Sequence, residues 1–241
     1  MKKYELTDDS ITFMGRKLFR IRAIRSFNDV AAGDLGGYVE KEENLSHDND
    51  AWIYGDARIS DNARISDNAC ICDNACIYDN AWIYGDARIS DNAWIYGDAR
   101  ISDNARISDN ACICDNARIS DNACICDNAC IYGDARISDN AWIYGDACIS
   151  DNAWIFGDAC IYGDARISGD ADYLYLKGLG SENRNTTFFK CEDGHIHVSC
   201  GCFSGNLSEF ENKVKETHGD SKYAKEYLAC IEVVKIHFEE E

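Results

Sequence analysis

Ala51-Trp52-Ile53-Tyr54-Gly55-Asp56 opens a run of 20 consecutive hexapeptides that closes at Ala165-Arg166-Ile167-Ser168-Gly169-Asp170, each reading Ala-x-Ile-x-(Gly or Asp)-(Asp or Asn). Ala and Ile recur in every copy while the second and fourth positions vary, which separates residues that build a core from residues that face outward. Self-similarity at a short fixed period marks a solenoid, where each unit buries its apolar side against its neighbours. A helix is excluded, because six residues advance an α-helix by about one and two-thirds turns and would scatter the isoleucines around it. In an extended x-Ile-x triplet, Ile points to one side and both neighbours to the other, while Asp, Asn and Gly supply the turn. Ala is the small residue that fits inside a tight corner.

These hexads resemble the hexapeptide-repeat superfamily, whose chains wind into a left-handed parallel β-helix with three hexads per triangular coil. The resemblance covers residues 51 to 170 and implies an all-β solenoid of about seven coils. Ile21-Arg22-Ala23-Ile24-Arg25, Ala32-Gly33-Asp34-Leu35-Gly36-Gly37-Tyr38-Val39-Glu40 and Asn44-Leu45-Ser46 are further similar to the leader of YdcK-like bacterial and phage proteins, often labelled transferases. That resemblance implies an acyl-CoA-dependent acyltransferase with acetyl-CoA as cofactor. Superfamily members commonly form trimers, which implies a homo-oligomer.

Around the repeat, residues 1 to 50 read as an N-terminal β cap and lead-in, 51 to 176 as the solenoid, and 177 to 241 as a small α+β domain. In the cap, Ile11 to Met14 and Lys17 to Arg25 form a hairpin across Gly15-Arg16, which shields the unpaired edge of the first coil. Gly33-Asp34-Leu35-Gly36-Gly37 reads as a turn into that coil rather than a phosphate cradle. Beyond Asp170, Ala171 to Leu176 would close the last coil. A hairpin follows, Thr186 to Lys190 and His195 to Phe203 around Glu192-Asp193-Gly194. The first of two helices begins at Ser208 with Glu211 as its capping box and stops at Gly219; the second starts near Ser221 with Tyr227, Ile231, Val234 and Phe238 on one stripe.

The formal charge of −19 argues against a general binder of nucleic acid or anionic membranes. Much of it has a structural address: every hexad carries one Asp, fifth when Asn is sixth and sixth when Gly is fifth. Stacked corners with two carboxylates each would repel. Fourteen cysteines without a signal-like apolar stretch after Met1-Lys2-Lys3 point to the cytoplasm and free thiols. No segment is long and apolar enough to span a membrane.

Superfamily acyltransferases typically use a histidine on the coil and a loop that closes the cofactor site. Here no His lies between His47 and His195 and nothing interrupts the 20 hexads, so His47 is the sole positional candidate for a general base. His195, His197, Cys200 and Cys202 have the composition of a zinc site, but the period of a strand sends the two histidines to one face and the two cysteines to the other. Cys191 and His218 could join them only through the tertiary fold.

If every third hexad stacks, one face carries Arg64, Trp82, Arg100, Arg118, Arg136 and Trp154, flanked by Ser66, Tyr84, Ser102, Ser120, Ser138 and Phe156. Arginines about 5 Å apart repel unless anions or aromatic rings intervene. This face suits a phosphate-bearing or nucleotide-like ligand or an acidic strip of a partner protein, unless neighbouring Asp corners neutralise it. A second face stacks Cys112, Cys130 and Cys148. Ice binding would want regular Thr, which the hexads lack. The leading expectation is a non-catalytic scaffold that self-associates, trimer favoured, or binds a partner through its outward ladders. An acyltransferase and a small-ligand sequestering protein are the alternatives.

Overall fold

A computed structural model describes residues 1–238 and shows a parallel β-solenoid of about seven turns. Each hexad contributes one two-residue rung, Trp52–Ile53 through Arg166–Ile167, and each rung pairs in register with the rung 18 residues on. The rungs fall on three faces of seven, seven and six strands. Every Ala and Ile of the repeat is buried to within 1 % of complete. Stacked at the spacing of parallel strands, about 4.8 Å, the isoleucines form a continuous apolar column.

The corner chemistry explains the alternation of Asp and Asn. The fifth position is left-handed in every hexad but the last, where Gly169 is extended, with φ near 57° at Asp61, Asp67 and Asp103 and 71° at Gly85 and Gly97, a conformation that Gly and Asp tolerate. A fifth-position Asp accepts the backbone N–H of the next coil's fifth residue, as Asp67 Oδ2 does from Gly85 at 3.1 Å. A sixth-position Asn donates its amide to the sixth residue one coil on, as in Asn110 to Asn128 at 3.1 Å and Asn128 to Asp146 at 2.9 Å. Asp ends such a chain because it only accepts. One carboxylate per corner therefore supplies acceptors to the next coil as well as limiting repulsion.

At the N-terminus, β1 (Tyr4–Phe13) and β2 (Arg16–Ala23) form an antiparallel hairpin, and β3 (Leu35–Val39) turns parallel to the Arg58–Ile59 rung. β1 begins well before Ile11, and the turn falls at Met14-Gly15, both left-handed. Gly36 and Gly37 lie inside β3 rather than in a turn, where a Cβ would come within 2.6 Å of the carbonyl oxygens of Ile53 and Ala57. Val39 sits in register with Ile59 and Leu45 with Ile65, so a degenerate coil precedes the first hexad. Trp52, read as outward from its place in the hexad, is only 1 % exposed: Phe27 and Tyr4 pack edge-on against it.

At the other end, residues 171 to 176 do not close the last coil with a further parallel rung. A 3-10 turn at Asp170–Asp172 leads into β4 (Tyr173–Leu179), which joins β5 (Arg184–Lys190), β6 (Ile196–Cys200) and β7 (Phe203–Asn206) in an antiparallel sheet. The open edge is closed by side chains instead: Asp170 Oδ1 accepts from Trp154 N at 2.9 Å, Tyr173 Oη donates to Trp154 O at 2.7 Å, and Thr187 Oγ1 accepts from Cys160 N at 3.0 Å. Two helices pack on this sheet, α1 (Leu207–His218) and α2 (Lys222–Phe238). The cap of α1 is Asn206 with Glu209, not Ser208 with Glu211, because β7 runs directly into the helix and leaves Asn206 extended at its head. Tyr227, Ile231 and Val234 are buried as the stripe predicts.

Two substitutions separate column from cap. Ile101→Ala should cost about 2–5 kcal/mol in denaturant unfolding, the range for a buried aliphatic truncation. Tyr173→Phe should cost about 1–3 kcal/mol by leaving the Trp154 carbonyl without its donor; an unchanged midpoint would show that the edge is satisfied otherwise.

Candidate functional site

The stacking predicted from every third hexad is the stacking found. Arg64 pairs with Trp82, Trp82 with Arg100, Arg100 with Arg118, Arg118 with Arg136, and Arg136 with Trp154. Trp82 and Trp154 are 42 % and 49 % exposed, which is high for indoles. Arg64, Trp82, Arg100 and Arg118 line an open groove of about 450 Å³ together with the corner residues Asn62, Asn80, Asp98 and Asn116. Those corner residues escaped the sequence reading, which followed the second and fourth positions. The signal was present, since each directly precedes the Ala of a stacked rung.

Two expectations about this face change. Neutralisation by Asp corners is not seen: among the described residues none of Arg64, Arg100, Arg118 and Arg136 makes an ion pair. The groove itself sets three guanidiniums against the single carboxylate of Asp98, whose Oδ1 already accepts from Asn80 at 3.0 Å. The serine hydroxyls are also less available than expected. Ser102 and Ser120 donate to Asp103 and Asp121 at 2.7 and 2.9 Å, and Ser66 accepts from Trp82 Nε1 at 3.4 Å. The face offers guanidinium, indole and carboxamide groups, a donor-rich surface for an oxyanion.

The caps treat the three faces differently. Phe13 at the end of β1 reaches the face of Arg58 and Trp94, with its ring 5.2 Å from the Arg58 guanidinium and 6.4 Å from the Trp94 ring. The segment bearing Phe27 covers the top of the face that starts at Trp52. Among the described residues, no hydrogen bond, ion pair or ring contact joins either cap to the side chains of Arg64, Trp82, Arg100, Arg118 or Arg136.

His47 lies in the N-terminal cap. Its Nδ1 accepts the backbone N–H of Lys3 at 3.3 Å, its ring packs 4.4 Å from that of Tyr4, and its buried Nε2 lies 3.7 Å from Glu42 without a hydrogen bond. The ring is a structural wedge, and none of the grooves described here is lined by it. Of the four zinc-like residues, His197 contacts Asp193 at 3.2 Å, His195 is exposed, Cys202 lies in the turn after β6, and Cys200 is buried with Thr186 donating to its Sγ at 3.1 Å. They do not converge. Among the described residues the one grouping of three ligand-type atoms within 4.8 Å is Asp109, Cys126 and Asp127 on a solenoid corner.

The sulfur face has its own electrostatics. Cys112, Cys130 and Cys148 pair in register. Hydrogen bonding with Cys130 draws the Cys112 thiol well below its ordinary range against the opposing effect of burial, and its Sγ lies 3.7 Å from Tyr96 Oη. Burial pushes Cys114 up to about 11.

A hexapeptide-repeat β-solenoid is thus the class that fold and sequence define. The family profile described as YdcK Beta solenoid repeat matches residues 57–72, 81–97, 99–115 and 129–145. A relative described as an uncharacterized acetyltransferase YdcK, of Escherichia coli (strain K12), is 39 % identical over 62 residues, covering 22 % of this chain and 19 % of that protein. The repeat segment is thus similar to the YdcK-like hexapeptide-repeat group over these stretches. The match spans only about a fifth of the relative's length.

The thiol chemistry is directly measurable. Alkylation followed by peptide mass spectrometry should label Cys112 rapidly at pH 7, where Cys114 stays protonated, and Cys130→Ala should move the Cys112 pH profile upward. Equal labelling of the two at pH 7 would remove the Cys130 hydrogen bond from the account.

Proposed function

We propose that the protein is a non-catalytic binding scaffold whose Arg and Trp ladder takes an oxyanion-bearing partner, either an acidic protein strip or a phosphate-bearing ligand. The observation that supports it is the row Arg64, Trp82, Arg100, Arg118 and Arg136 on a chain of formal charge −19, whose arginines make no ion pair among the described residues. Holding like charges in register on adjacent rungs costs electrostatic energy that an anion along the groove would recover. The regular spacing suits an extended acceptor array better than a point ligand. A homo-oligomer, trimer favoured, and a reducing cytoplasmic setting for the free thiols are part of the same proposal.

A second reading, an acyltransferase using acetyl-CoA, is favoured by the name of the Escherichia coli relative. In that reading His47 would be the base. Its Nδ1 is held by Lys3 and its Nε2 is buried, so it would need to leave the cap to act.

Titration with pyrophosphate, ATP and a poly-glutamate peptide, followed by calorimetry, tests the scaffold. Binding should weaken at least tenfold when Arg100, Arg118 and Arg136 are together replaced by Ser, with an unchanged unfolding midpoint. Undiminished binding by the triple variant would sink the ladder as the site. Release of free CoA from acetyl-CoA, lost on His47→Ala, would put the acyltransferase in its place.

A further inference from the structure

A pocket in the C-terminal α+β unit is unlike the grooves of the solenoid. It is a cavity of about 440 Å³ between the antiparallel sheet and the two helices, within the size range of small-molecule sites. Phe203, Phe210, Val214 and Tyr227 give it an apolar lining, with Phe210 edge-on to Tyr227 at 5.7 Å and tilted against Phe203 at 5.1 Å.

The polar atoms at its floor are already matched to one another. Tyr227 Oη donates to Leu179 O at 3.3 Å, and Cys200 Sγ accepts from Thr186 Oγ1 at 3.1 Å. The floor therefore asks for apolar contact and no hydrogen bond. The rim differs. Lys213 is neutralised by Glu216 at 2.9 Å, and His218 stacks on Tyr227 with ring centroids 5.6 Å apart. Arg184 has no ion-pair partner among the described residues, although Glu182 also lines the pocket. Its guanidinium lies over Gly201, a left-handed residue (φ 60°) where a Cβ would stand 1.9 Å from Nη1. The missing side chain at Gly201 gives Arg184 its place at the mouth.

We propose that this cavity binds a small carboxylate with an apolar tail, of the medium-chain fatty-acid class, the tail among Phe203, Phe210 and Val214 and the carboxylate on Arg184. Charge complementarity selects the occupant: an apolar floor with its polar atoms satisfied, and at the entrance the Arg184 guanidinium, which makes no ion pair among the described residues. The site is independent of the solenoid ladder, whose arginines offer no apolar cavity.

Calorimetric titration of the full chain with decanoate, and with decanol as the uncharged control, tests this. Decanoate should bind at one per chain and at least tenfold more tightly than decanol, and Arg184→Gln should remove that preference while Arg184→Lys restores part of it. The variant with Arg100, Arg118 and Arg136 replaced by Ser should bind decanoate like the parent chain. Equal affinity for decanoate and decanol, an undiminished preference in Arg184→Gln, or loss of binding in the ladder variant would each overturn the assignment. So would blockage of the cavity by a second copy, seen as a dimer in light scattering that decanoate leaves intact.

Discussion

In-register stacking at a separation of 18 residues is the constraint on which everything else in this molecule depends. Because each residue lies directly over its counterpart one coil away, any side chain chosen at one position is chosen for a column. Ile over Ile gives dense apolar contact without gaps, and Ala over Ala lets the corners close. Asn over Asn forms a donor chain that needs an acceptor at its end, which Asp146 and Asp158 provide. Arg over Arg gains nothing internally. The columns that stabilise the coil are the constant positions, and the columns that cannot stabilise it are left for contact with something else.

A stack has ends, and its ends must be satisfied by different chemistry. At the N-terminal end, buried Lys3 donates to the carbonyls of Ala51 and Asn49 at 2.7 and 3.2 Å, and Tyr4 donates to those of Glu42 and Leu45. Burial lowers the Lys3 pKa to about 8, a cost offset by the carbonyls it serves. At the C-terminal end, Asp170, Tyr173 and Thr187 occupy hydrogen-bonding positions that another rung would have filled. The N-terminal cap also reaches down two faces through Phe13 and Phe27, so closing that end decides which outward ladder it leaves bare.

The repeat made the solenoid, its rung positions and the composition of each face readable, because a period of six with fixed Ala and Ile permits one register. Where the period lapsed, reading lost accuracy. Ala171 to Leu176 keep enough of the pattern to suggest a coil, yet Tyr173 bonds back to Trp154 and β4 pairs antiparallel with β5. β7 was invisible because Phe203–Asn206 is short and runs straight into α1, which moved the helix cap from Ser208 to Asn206. Trp52 looked outward by its place in the hexad. Only the aperiodic N-terminal cap, through Phe27 and Tyr4, buries it.

Sequence alone determined which side chains share a column, since a fixed covalent period converts chain position into spatial position without any long-range information. It named the Arg64 to Trp154 ladder, the sulfur column and the charge rule at the corners. Only the tertiary structure decided which column the N-terminal cap leaves bare, that the ladder arginines make no ion pair among the described residues, and that Arg184 stands over Gly201 at the mouth of an apolar cavity. Those facts depend on how aperiodic segments pack, and packing between segments of unrelated sequence is set by shape and charge that no single period encodes.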